Sequence, residues 1–539
     1  MTPPQTPSGP DGNPADDRPR VGAWTPLAHA AYRSIWLAVL FSNVGTWMQT
    51  VGAQLLLVGE PRASTLVALV QTASTLPVVL LALPGGVLAD SFDRRRMLLV
   101  VQCYMGTVAI VLTALTAAGQ MRPPLLLVLT FALGVGTALT APAYQALIPD
   151  LVPRRELASA AALGAVSMNL ARAVGPALAG LIIARTGTAA VFAINAATFV
   201  GFACVLLLWR REPVDNPGSR ERFPSALRAG GRYVRHSPVV RRLLLRVALF
   251  LLPAMALWAL LPLIATERLN LGPAGYGVLL AALGIGAVVG AVLLPGFRRA
   301  LSPSRQLIVA STVFALSTAV VGTAPVPVVV FLALLPAGAA WVAVLSTMNA
   351  TLQLFLPAWV RARALAIYQM TFFGAQALGA LAWGLVAESA GLVPAFLASA
   401  TLMAVGAATM LVWPVREAPA HGRGPAAYWE EPHLKLDPKP DVGPILVQVS
   451  YRIDDRDEPD FLAAMERVRR SRQRTGAYRW QIYRDGETPG RFVEAYLVPS
   501  WAEHLRQHNG RLTESDAISE REALSYSRST PEVHHLFPA

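Results

Sequence analysis

The stretch LADSFDRRRML, Leu88 to Leu98, sets five charged residues between two long apolar runs. LVQTASTLPVVLLALPGGV precedes it and MLLVVQCYMGTVAIVLTAL follows. About 20 apolar residues are needed for a helix to cross a bilayer. Both runs meet that length, so the knot reads as a short polar turn between two membrane spans. The same reading extends along the chain to twelve candidate spans. They lie near residues 33–58, 65–88, 97–118, 124–147, 160–184, 189–209, 243–266, 275–296, 306–323, 326–347, 364–387 and 392–413.

Composition agrees. The 539-residue chain is 54% hydrophobic and 15% charged, against about 25% charged in soluble domains. Its net charge of +13 could mean nucleic acid, but the placement of the arginines argues otherwise. Loops on one side of the spans hold 19 arginines; those on the other hold four, Arg62, Arg122, Arg185 and Arg268. Arginine accumulates on the cytoplasmic side, so both termini are expected in the cytoplasm and nucleic acid is not an expected partner. Cys103 and Cys204 lie in apolar runs, which leaves no disulfide or metal framework. Residues 1–30 lack an apolar core and read as a disordered tail without a cleavable leader.

The expected organisation is a tail (1–30), a six-helix half (31–209), a cytoplasmic loop (210–242), a second six-helix half (243–415), a Pro-rich linker (416–440) and a soluble end (441–539). The halves resemble each other. GPALAGLIIARTG (Gly175–Gly187) aligns without a gap on GALAWGLVAESAG (Gly379–Gly391), matching at three glycines. Internal duplication is the mark of secondary transporters. Small residues at Gly175, Gly180, Gly379 and Gly384, with Pro176, are expected to let helices approach closely. In the soluble end, ILVQVSYRI alternates like a strand, EPDFLAAMERVRRSRQRTG is an amphipathic helix, and the order β-α-β-β-α-β follows. The expected class is therefore an all-α membrane protein with a small ferredoxin-like α+β domain. His504, His508, His534 and His535 lack a supporting carboxylate or cysteine, so no metal or other cofactor is expected.

With these features in place, the chain resembles the major facilitator superfamily. Gly86, Asp90, Arg94 and Arg95 match that family's loop signature, while Ser91 and Asp93 depart from it. The resemblance implies a gate in which Asp90 meets the start of helix 11, near Arg361 and Arg363. LIPDLVPRRELASAAAL and NLARAVGPALAGLI resemble, more narrowly, the branch of enterobactin-exporter and macrolide-efflux proteins. The soluble end resembles the antibiotic-biosynthesis-monooxygenase type of α+β barrel. Two readings follow. One is an antiporter in the cell membrane that exports a small amphipathic molecule, a siderophore or macrolide for example. The other adds a catalytic tail that acts on the transported compound; a third role for the tail, self-association or regulation, is the preferred one.

Candidate binding residues lie on polar faces at helical spacing. They are Asn43, Trp47, Thr50 and Gln54 in helix 1, Thr140 and Tyr144 in helix 4, Asn169 and Arg172 in helix 5, Trp258 in helix 7, and Asn349 and Gln353 in helix 10. Arg172 stands out, because a charge near mid-membrane costs at least ~2.5 kcal/mol. No Asp or Glu occupies the middle of any span; Glu60, Glu267 and Glu388 lie near ends. Proton coupling is thus implied by the resemblance alone; Glu267 or Asp90 would have to carry the proton, or the coupling differs.

Overall fold

A computed structural model describes residues 22, 24–209, 223–415, 434–436 and 438–538. The expected tail and most of the linker lie outside those residues. Twelve long helices are arranged as two sets of six. The first set is α1 (Ala30–Leu57), α2 (Ala63–Ser91), α3 (Arg94–Ala117), α4 (Pro123–Leu151), α5 (Leu157–Thr186) and α6 (Thr188–Leu208). A shorter helix, α7 (Phe223–His236), falls inside the stretch read from sequence as a plain loop. The second set is α8 (Pro238–Leu263), α9 (Pro273–Ala300), α10 (Pro303–Thr323), α11 (Pro327–Phe355), α12 (Ala358–Ala390) and α13 (Leu392–Val412). Among the described residues eleven helices are long and apolar enough to cross a membrane. The exception, α1, is as long but carries Asn43, Thr46, Gln49, Thr50 and Gln54.

Each matched glycine has the same work in both halves. Gly187 (φ +86°) and Gly391 (φ +93°) form the turns from α5 to α6 and from α12 to α13, a backbone conformation glycine enters without a Cβ clash. A Cβ at Gly180 would lie 2.5 Å from Pro273 O on α9, and one at Gly384 would lie 2.5 Å from the Ala68 Cβ on α2. The duplicated stretch therefore supplies the two seams, α5 on α9 and α2 on α12, that join the halves.

The closest contacts across these seams lie at one end. The end at which the α6–α8 connection emerges is called the linker end below. Away from it, Gly180 meets Gly277, Gly284 meets Ala173, and Thr72 Oγ1 donates to Ala377 O at 3.0 Å. Towards the linker end, Val166, Asn169 and Leu170 of α5 and Val288 and Val292 of α9 are exposed.

The soluble end has strands β1 (Ile445–Arg452), β2 (Arg479–Arg484), β3 (Arg491–Val498) and β4 (Glu532–Leu536), with helices α14 (Glu458–Thr475), α15 (Trp501–Arg506) and α16 (Glu514–Ser525). The sheet is antiparallel in the order β2-β3-β1-β4, compatible with the expected ferredoxin-like arrangement. Strand β1 buries Ile445, Val447, Val449 and Tyr451 alternately against Phe461, Met465 and Val468 of α14, as period-2 patterning requires.

Candidate functional site

Three of the sequence-selected residues meet at the seam between the halves. The Arg172 guanidinium lies 5.5 Å from the centroid of the Trp47 ring, and Trp47 stands 5.9 Å from Trp258 across the interface. Trp258 continues to Trp341 at 5.2 Å, and Trp341 to Phe250 and Phe314. Gly175 makes this possible: a Cβ there would lie 2.7 Å from the Trp47 Cβ, so the α5 backbone sits directly under that side chain.

The polar atoms of this cluster are donors without acceptors. Among the described residues Arg172 has no hydrogen-bond or ion-pair partner, and its Nε is buried. The indole N–H groups of Trp258 and Trp341 are also buried without a partner. Buried polar groups are normally satisfied, and leaving one unmade costs about 1–3 kcal/mol, more for a charge. The face of Trp47 offsets part of the cost for the cation, a contact worth about 2 kcal/mol when desolvated.

The other candidates sit elsewhere. Asn43 Nδ2 donates to Ser167 Oγ at 3.3 Å, joining α1 to α5. Thr50 is turned onto its own helix at Thr46 O. Gln54 Oε1 accepts from Tyr276 OH at 2.6 Å, a buried bond that bolts the halves together at the closed end. Thr140 Oγ1 donates to Gly136 O and accepts from Gln102, while Tyr144 packs with Tyr32 and Ile148 near the linker end. Asn169 is exposed and donates to Ala165 O, and Asn349 and Gln353 pair with each other at 2.9 Å. Sequence reasoning missed Trp341, which sits in an unbroken apolar run and gives no signal there. It also missed Asn195, which donates to Gln49.

At the charge knot, Asp93 is the N-cap of α3, its carboxylate accepting from Arg96 N at 2.8 Å. The residue that departs from the signature is thus the one that starts the helix. Arg94 donates to Ala146 O at 2.8 Å and reaches Asp150 at 3.4 Å; Arg95 donates to Leu206 O and Leu207 O at 2.7 and 2.9 Å. Arg94 ties down the end of α4 and Arg95 that of α6, as cations at helix C-termini do, and among the described residues neither bonds to α12. The side chains of Gly86 and Asp90 lie outside the described residues. Arg361 is exposed beside Leu356 O. Arg363 is covered by α7, where a Cβ on Gly230 would lie 2.7 Å from the Arg363 Cβ. A further arginine, Arg246 of α8, was not singled out from sequence. It donates to Gly406 O, Thr409 Oγ1, Thr409 O and Trp413 O and so closes the end of α13.

Known proteins bear on this geometry. The family model described as "Transmembrane secretion effector" matches residues 21–538. The enterobactin exporter EntS of Shigella boydii is 30% identical over 269 residues, covering 49% of this chain and 63% of that protein. EntS of Citrobacter koseri is 28% identical over 303 residues, 55% of this chain and 71% of that protein. The chain thus spans under two thirds of the first of these relatives. Among solved structures, a bacterial homologue of the human lysosomal transporter Spinster, inward-facing and unoccupied, superposes with a TM-score of 0.58 at 13% identity. It covers 72% of this chain and 98% of that one. The nucleoside transporter NupG gives 0.57 at 14% identity, over 71% and 98%. At these identities the likeness is one of fold.

Proposed function

The chain belongs to the transmembrane secretion effector family, and from that premise we propose that it exports an acidic, acceptor-rich aromatic small molecule by alternating access. The observation that carries the reading is the set of unmet donors, Arg172 with the Trp258 and Trp341 indoles, gathered around aromatic faces between the halves. A carboxylate or a phenol-derived oxygen would accept from the guanidinium, and a flat ring would stack on Trp47. Charge-assisted hydrogen bonds are the strong ones, and a dry site strengthens them further. The likeness to siderophore exporters supports this class.

Direction follows from the arginine count. Placing the arginine-rich loops inside puts the linker end in the cytoplasm. The halves are sealed at the other end, so this is the state that takes up cargo from within. Gate roles for Gly86, Asp90, Arg361 and Arg363 belong to the closing of that inner end. An ion gradient is the assigned drive.

The soluble end is assigned no reaction. Its most deeply buried carboxylate among the described residues, Glu494, already accepts from Tyr451 OH at 2.9 Å, Trp480 Nε1 at 2.7 Å and Arg472 Nε at 3.3 Å. Those bonds build a core and leave Glu494 fully engaged. Everted membrane vesicles test the transport reading. Gradient-dependent accumulation of acidic aromatic compounds, above that of amines of equal size, is expected; a preference for the amines would overturn it.

A further inference from the structure

The soluble end is not merely tethered after α13. It is seated on a platform made by α7 and the first turn of α12. Arg232 of α7 stands 3.5 Å from Glu503 of α15, and that carboxylate is shared with Arg511 at 2.7 Å. Burial works to raise the Glu503 carboxyl, but Arg511, Arg506 and Arg232 outweigh it and hold it below the usual range. The Arg511 guanidinium lies 5.0 Å over the Trp359 ring on α12. The Arg474 guanidinium lies 5.8 Å over Tyr233 of α7, and Tyr233 meets Trp359 edge-on at 5.6 Å. Arg232 and Glu503 are both largely buried by the contact. A shielded arginine–carboxylate pair flanked by two arginine–aromatic contacts is a specific interface, unlike an exposed ion pair.

What this surface covers gives it consequence. Helix α7 lies on Arg363, its Gly230 backbone pressed against the Arg363 side chain. Arg363 lies two heptads before Ala377 and three before Gly384, on the stripe of α12 that meets α2 of the other half. Trp359 belongs to the second half, and α7 packs on α12 and runs directly into α8, so the domain moves with that half. We infer that residues 441–539 form a brake: docked through Glu503, Arg474 and Arg511, they hold α7 over Arg363 and keep the linker end open. Release of the domain would free α7, uncover the α12 end and let the transporter cycle. The inference rests on the alternating-access reading above.

Distance measurement between spin labels separates the two. With Cys103 and Cys204 replaced by serine, labels at Val166→Cys and Val292→Cys report the linker-end opening in the full chain without any cargo. Arg232→Glu opposes Glu503 with a like charge, and Tyr233→Ala removes the aromatic contact without adding charge. Both should shift the population towards the short distance and raise amide exchange in α7; Arg232→Lys should stay close to wild type. If both variants expose α7 while the distances stay unchanged, the domain is docked but is no brake. If exchange in α7 is unchanged in both, the interface itself is disproved. If no chain, wild type included, ever samples a short distance, the alternating-access reading is the one that fails.

Discussion

Asp93 shows how a residue can break a family signature and still be explained by elementary chemistry. Its carboxylate takes the place of the missing intrahelical partner for Arg96 N, as N-caps do. Asp93→Ala should cost about 1 kcal/mol of stability, with Asp93→Ser or Asp93→Asn retaining most of it; thermal unfolding of the purified protein measures this. From sequence, the aspartate was visible only as a mismatch, because a cap is defined by backbone geometry. Arg172 is the opposite case. A lone guanidinium in an apolar run is anomalous wherever it points, and it marked the site from the first reading. Trp341 carried no such mark, since indoles are common in cores and only the contact with Trp258 gives it meaning.

Among the elements, the paired seams decide which state the molecule occupies. Gly180 on α5 and Gly384 on α12 occupy equivalent places in the duplicated stretch, and each lets a helix of one half touch a helix of the other. Gly180→Leu should force α5 and α9 apart at the closed end. A cysteine at Thr65, beside the second seam, should then react several-fold faster with an impermeant thiol reagent; an unchanged rate would show that the seams open independently. The duplication made these glycines legible as a pair. Their partners were not, because which helix faces which depends on the closure of the whole bundle. Helix α7 was hidden for a related reason. Its sequence, FPSALRAGGRYVRH, holds two glycines and four charged or histidine residues, and it is ordered by what docks on it rather than by its own propensity.

For the whole molecule, two regions with different solvents share one chain and respond to different variables. The soluble end buries His504 and His508, and loss of water around them, with Arg472 and the neighbouring histidines, pushes His504 down to about 3 and His508 to about 2. The unfolded chain, with histidine near 6.5, binds more protons than the folded one between those values. Stability of the domain is therefore full above about pH 6.5 and falls as pH drops, by roughly 1 kcal/mol per unit for each histidine. Amide exchange of residues 501–511 at pH 7.5 and 5.5, corrected for intrinsic rates, should show the loss; equal opening energies would contradict it. The broad plan of the membrane region was legible because apolar length and arginine placement are set locally by the bilayer. The site was legible only in part, since three of the eleven selected binding residues, Trp47, Arg172 and Trp258, come together. Of the rest, Asn43, Gln54 and Thr140 bond between helices, while Thr50, Asn169, Asn349 and Gln353 bond within their own, a choice made by tertiary packing. Uptake into everted vesicles tests whether Arg172 holds an acidic group of the cargo. Arg172→Gln should lower transport of an acidic aromatic compound at least about tenfold, the loss of one charge-assisted bond, and should leave its neutral ester little affected. Equal transport of the acid by wild type and variant, in equal amounts of inserted protein, would contradict the account.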